Sequence, residues 1–143
     1  MSRYVVDASV AIRWYVEEIH SIHALQLLEA KNILLAPDLI LPEVGNILWK
    51  RVRMSDLSLE IAQLHLVAFT SLDLTLVPSI EIISQAFEIA STLDCSVYDS
   101  LYVSVAILRE ARLVTADRKM YNTLIASRLK DFVIWIENIE IIE

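Results

Sequence analysis

Tyr4-Val5-Val6-Asp7-Ala8-Ser9-Val10 is the stretch on which the fold turns: an unbroken apolar run, a carboxylate, and then the start of a helical segment. Apolar residues in succession suit a strand covered on both faces, and the acid then falls just past that strand's C-terminal end. Leu113-Val114-Thr115-Ala116-Asp117 repeats the arrangement late in the chain, with one residue between the run and the acid. Working outward from these two points, short β-branched and aliphatic runs predict strands at residues 4–6, 33–36, 74–77, 113–115 and 132–135. Segments of helical periodicity fall between them, at 8–16, 21–30, 42–53, 58–71, 79–93, 96–109 and 118–126. Strands alternating with helices are the pattern of βα units feeding a largely parallel sheet. Pro37, Pro42 and Pro78 fall at or beside the ends of these elements, where a fixed φ and a missing donor are tolerated.

A chain of 143 residues buries one proper core and is too short for two, so residues 1–143 are expected to form a single domain. Hydrophobic residues make up 56%, yet no apolar run reaches the length of a membrane span. The excess must be buried inside the domain or across an interface, which predicts a homodimer, with Trp14, Tyr15 and Trp49 as candidates for the interface or, equally, for the core. A carboxylate interrupts the first apolar stretch almost at once, unlike a secretory leader, so a cytoplasmic location is expected. The single cysteine, Cys95, excludes an intramolecular disulfide and a thiolate metal site, and reads as a small buried apolar residue. The only glycine, Gly45, lies inside a proposed helix, and phosphate-binding loops and dinucleotide fingerprints both need several.

Net charge is −7, from 12 Lys and Arg against 19 Asp and Glu. That balance repels polyanions and argues against a simple nucleic-acid-binding module. A site whose carboxylates are neutralised by bound cations escapes the objection. Four acids are candidates for such a site: Asp7 and Asp117 beyond strand ends, Glu43 after Pro42, and Asp99 three residues after Ser96. The C-terminal edge of an open parallel sheet is where loops and helix N-termini converge on ligands. Each acid also has a structural explanation. Asp7 and Asp117 suit N-caps, Ser96 with Asp99 resembles a capping box, and Glu43 is favourably placed near a helix dipole. Capping alone leaves their convergence on one edge a coincidence. Two carboxylates about 4 Å apart repel by roughly 4 kcal/mol at an effective dielectric near 20, so protons or a divalent cation must compensate. An all-oxygen ligand set suits Mg²⁺ or Mn²⁺ rather than zinc, and hydrolysis of a phosphodiester is the matching reaction class.

Around the acids, Ser9 and Thr115 are placed to hydrogen-bond the carboxylates or to satisfy local backbone. Lys50, Arg51 and Arg53 end the helix that carries Glu43, and Arg118 and Lys119 follow Asp117. Such groups grip flanking phosphates, or else complement helix C-termini. His20 and His23 have no third ligand near them and read as surface residues, and His65 invites no role.

With these positions in view, the chain resembles PIN-domain ribonucleases, specifically the VapC-type toxins of toxin–antitoxin pairs. The marks are Val5-Val6-Asp7-Ala8-Ser9-Val10, Pro42-Glu43-Val44-Gly45-Asn46, Tyr98-Asp99-Ser100-Leu101-Tyr102 and Thr115-Ala116-Asp117, in that order over nearly the whole chain. The resemblance implies a three-layer α/β/α sandwich around a mainly parallel sheet, endoribonuclease activity on RNA, dimerisation and inhibition by a cognate antitoxin. It implies Mg²⁺ or Mn²⁺ held by Asp7, Glu43, Asp99 and Asp117, with Ser9, Asn46 and Thr115 in support. Gly45 stands where relatives often carry Ala, and the further acid that some relatives have after the last Asp is missing. Two other classes stay open: a PIN-fold binding protein without turnover, and a receiver-like Mg²⁺-dependent phospho-acceptor. The second expects adjacent acids after the first strand and a lysine after a late one, and Asp7 has no acidic neighbour.

Overall fold

The computed structural model describes residues 2–142. Its strands β1 (Ser2–Val6), β2 (Asn32–Pro37), β3 (Leu74–Val77), β4 (Arg112–Thr115) and β5 (Val133–Trp135) form one sheet in the order β3-β2-β1-β4-β5. Every pairing is parallel; β1 sets Val5 against Leu35 on one side and Leu113 on the other. Among the described residues the α-helices are α1 (Ala8–Ala11), α2 (Ser21–Gln26), α3 (Ile40–Arg53), α4 (Leu59–Thr70), α5 (Ser79–Leu93), α6 (Val97–Leu108) and α7 (Arg118–Ile125).

Successive strand residues point to opposite faces, and in β1 both Val5 and Val6 are fully buried, as are Leu113, Val114 and Thr115 in β4. Both faces of the central sheet are therefore covered, which makes the fold a three-layer α/β/α sandwich. Helix α6 packs across β1, β2 and β4 and against α5, and its residues Ser100 to Ala106 are all buried. β3 lies at an edge, where Thr75 and Leu76 are exposed.

Strand order fixes where a ligand can go. The chain moves outward from β1 through β2 to β3, then returns to the other side of β1 to lay down β4 and β5. The direction of winding reverses between β1 and β4, which opens a crevice beyond their C-terminal ends. Asp7 and Asp117 follow those two strands.

Three helices depart from the bounds that periodicity predicts. The segment expected to be helical over 8–16 makes a single α-turn, then a 3₁₀ turn at Ile12–Trp14. Side chains redirect it: Arg13 bonds the carbonyls of Ser9 and Ile19, and the Trp14 indole donates to the Ala24 carbonyl at 2.8 Å. Trp14 is thereby buried in the core and is not an interface residue. Helix α2 stops at Gln26 rather than near residue 30, with the Asn32 amide donating to the freed carbonyls of Gln26 and Leu27. Helix α3 starts at Ile40, two residues before the expected bound, so Pro42 sits in its first turn, where no intrahelical donor is needed.

Candidate active site

Asp7 is 3% exposed and both of its carboxylate oxygens are engaged. Oδ1 accepts from the Val10 amide at 3.0 Å and from Ser9 Oγ at 2.5 Å, and Oδ2 accepts from Thr115 Oγ1. Both hydroxyls also tie the acid to the β4 end: Ser9 Oγ accepts from the Ala116 amide at 3.2 Å, and Thr115 Oγ1 from the Asp117 amide at 3.0 Å. Ser9 and Thr115 thus fix the Asp7 carboxylate between the two central strands. Burial pushes its pKa up to about 6, with the nearby Asp117 charge adding to the rise and the hydroxyl and amide donors opposing it.

Asp117 caps α7, its Oδ1 accepting from the Lys119 and Met120 amides at 3.0 and 3.2 Å. Asp99 does not cap α6: that oxygen is Ser96 Oγ, which accepts the Asp99 amide at 3.0 Å. The Asp99 carboxyl is held above the usual carboxylate range by burial and then by the Asp117 charge. Glu43 lies in the fourth position of α3, beyond the cap itself, and its Oε1 accepts from the hydroxyl of Tyr102 on α6. Burial and the Asp99 charge hold Glu43 up as well, against the Tyr102 hydrogen bond. The four acids of the sequence analysis therefore form a run of mutually repelling charges: Asp7 feels Asp117, Asp99 feels Asp117, and Glu43 feels Asp99. Among the described residues none of the four is ion-paired with a Lys or Arg. Nor are three His, Cys, Asp or Glu side chains set closely enough to enclose an ion as they stand. The arrangement is an open carboxylate cluster in which the nearby Lys119 charge offsets part of the repulsion at Asp99.

Tyr102 is the residue that sequence reasoning passed over, although it stands within one of the quoted motifs. It is 2% exposed, and burial together with its bond to Glu43 raises its own pKa far above that of an ordinary phenol. The signal was spacing: Asp99 and Tyr102 are three apart on one helix and so share a face.

The basic candidates divide. Arg51 is held by Glu18 at 3.1 Å and Asp56 at 2.7 Å, a structural role at the far end of α3. Lys50 and Arg53 are exposed, and Arg53 lies over the Trp49 ring at 5.1 Å. At 1.5 Å per residue they stand about 10 and 15 Å along the helix from Glu43. Arg118, next to Asp117, lies 3.8 Å over the Trp135 ring. Lys119 lines the same cavity as Asp99 and Asp117. Asn46 is exposed, one turn beyond Glu43. His20 lies 3.5 Å from Glu137, and the His23 ring bonds the Ile139 carbonyl; neither faces the acids.

Comparison with known proteins follows the same lines. The PIN domain profile matches residues 4–124, a span that includes all four acids. No curated protein matches the sequence significantly. Among solved structures, PAE2754 from Pyrobaculum aerophilum is similar over 95% of this chain and 85% of its own, with 23% identity and a TM-score of 0.70. A toxin–antitoxin complex from Klebsiella pneumoniae is similar at a TM-score of 0.61 and 13% identity, covering 92% of this chain and 95% of the other. VapC20 from Mycobacterium tuberculosis, a sarcin-ricin loop cleaving toxin, has a TM-score of 0.63 and 15% identity over 83% of this chain and 93% of its own. These likenesses concern the fold; the sequence profile, which covers most of the chain and every acid of the cluster, places this protein in the PIN-domain family.

Proposed function

We propose that this protein is a Mg²⁺- or Mn²⁺-dependent endoribonuclease and the toxin of a toxin–antitoxin pair. The observation that carries the reading is the open cluster at the sheet's switch point. Four carboxylates from four segments are linked there by charge repulsion, three of them raised by burial and two of those pushed further by the negative charge of Asp117. Only oxygen donors are present, which fits a hard divalent cation. Asp7, Glu43, Asp99 and Asp117 would hold it, and when bound it would offset their repulsion and acidify a water against the phosphodiester. The chain's own groups do the positioning. Ser9 and Thr115 fix the Asp7 carboxylate, Tyr102 fixes Glu43, and the α7 amides fix Asp117. Arg118 and Lys119 directly follow Asp117 at this edge, placed to take up RNA phosphates.

The toxin role draws on the VapC20 and Klebsiella likenesses and on the apolar surface. Leu59, Leu64 and Val67 of α4 and Ile80 and Phe87 of α5 are each more than half exposed. We assign this surface to a second copy of the chain and to a cognate antitoxin. No helix among the described residues is long and apolar enough to cross a membrane, and the reading places the protein in the cytoplasm.

The test is incubation of the purified protein with total cellular RNA, in Mg²⁺ or Mn²⁺ and in chelator. Cleavage is expected only with the cation and only with Asp7 intact, since Asp7→Asn keeps the shape and loses the charge. RNA that is cut equally well in chelator, or by Asp7→Asn at saturating Mg²⁺, would overturn the reading.

A further inference from the structure

Beside the carboxylate cluster, between α6 and α7, lies a cavity of about 220 Å³ whose inner walls the catalytic reading does not use. Its buried lining is mostly apolar: Val103 of α6 with Met120 and Leu124 of α7 are each at least nine-tenths buried, and the one buried polar residue beside them, Ser100, donates its hydroxyl to the Ser96 carbonyl. Its more accessible lining is polar, with Thr123 and the half-buried thiol of Cys95 on the sides. Asp99, Asp117 and Lys119 line it too, so the cavity and the acidic cluster share two carboxylates and a cation.

We propose that this cavity is a base pocket: it takes the nucleobase of the nucleotide whose phosphate lies at the carboxylate cluster. The inference rests on the ribonuclease reading and adds to it a site that selects the substrate. Size is the first argument, because the volume falls below the about 300–1,000 Å³ of pockets for drug-sized ligands and suits one ring system rather than an extended ligand. Chemistry is the second. A base taken out of a single strand is held between apolar or aromatic side chains and read at its polar edge. Here Val103, Met120 and Leu124 provide apolar walls, and the sulfurs of Met120 and Cys95 are polarisable surfaces that favour a π-face. Thr123 Oγ1, which donates to the Lys119 carbonyl at 3.0 Å, keeps its lone pairs for a base-edge donor. Position is the third. Lys119 stands at the same opening as Asp99 and Asp117, so a phosphate drawn to the cluster brings its own nucleoside to the cavity.

The pocket has its own reporter. The chain holds only three methionines, Met1, Met54 and Met120; Met120 lines the cavity and Met54 is 77% exposed at the end of α3. With methionine methyls labelled for NMR and Mg²⁺ present, the protein is titrated with the 5′-monophosphates of adenosine, guanosine, cytidine and uridine, and with ribose 5-phosphate. A stacked base shifts the Met120 methyl upfield and saturably, leaves Met54 in place, and discriminates among the four nucleotides. Ribose 5-phosphate leaves Met120 unmoved. Thr123→Leu fills the side of the pocket and is expected to weaken the Met120 response by about tenfold or more, while the melting shift produced by Mg²⁺ stays that of the parent. A stationary Met120 with all four nucleotides, or an equal response to ribose 5-phosphate, overturns the base pocket. RNA cleavage measured separately keeps the two readings apart: cleavage with a silent Met120 removes only the pocket, and a base-specific shift without cleavage removes the nuclease and leaves the pocket.

Discussion

At Asp7 a single residue ties folding to charge. Its carboxyl is 3% exposed and titrates near 6, against 3.8 for a free aspartate. A carboxyl raised in the folded state takes its proton before the unfolded chain does, so stability grows as pH falls through 6 and the gain is complete below 3.8. A rise from 3.8 to about 6 corresponds to about 3 kcal/mol at most. Asp99 and Glu43 are raised too and act with the same sign. In chelator the parent is therefore expected to melt higher at pH 5 than at pH 7.5. Asp7→Asn should flatten that slope and melt no lower than the parent at pH 7.5, because an amide still accepts from Val10 and Ser9. A calorimetric pH series on both proteins checks this. An unchanged slope in Asp7→Asn would show that the buried charge lies elsewhere.

At the scale of elements, the question is whether the acids serve helices or a ligand. Asp117 caps α7, and Asn in its place would still do so. Asp99 has no cap to lose, because Ser96 already holds that position. Asp99→Asn and Asp117→Asn should therefore melt at or above the parent in chelator and fall below it when Mg²⁺ is added. A ligand at about 100 times its dissociation constant stabilises the native state by roughly 2.7 kcal/mol, and the mutants should lose most of that. Equal Mg²⁺ responses in all three proteins would reduce the acids to helix ends. Helix α3 offers an independent check at a position that carries no side chain toward the acids. Nothing lies within 4 Å of a Cβ placed on Gly45, and its φ is not in the left-handed region. The glycine serves no close packing, so Gly45→Ala should stabilise by about 0.5–1 kcal/mol, read as a raised denaturant midpoint at constant m-value. A loss of stability would mean that a partner closes on that face.

For the whole molecule, the exposed apolar residues of α4 and α5 set the expectation of a dimer, because large apolar side chains left open to solvent mark an interaction site. Light scattering should give twice the chain mass of 16.3 kDa, and Leu64→Glu with Phe87→Glu should return it to the monomer. A monodisperse parent monomer at high concentration would defeat the dimer and leave the nuclease untouched. The sequence by itself determined the strands and most helices and singled out the four acids as candidates, because each depends on local signals: apolar runs, caps and a carboxylate past a strand end. All five predicted strands lie within two residues of those observed, and helix 79–93 matches α5 at both ends. Helix bounds went astray where distant or side-chain bonds outweigh periodicity, as Trp14 and Arg13 do after α1. Only the tertiary structure decided that β1 lies between β2 and β4, since strand order is set by non-local pairing and leaves no mark in a local window. That order brings Thr115 to Asp7 across 108 positions and Tyr102 to Glu43 across 59. It also packs α7 beside α6 so that their apolar residues enclose a cavity next to the acids, because which side chains share a low-dielectric crevice depends on how the helices meet over the sheet.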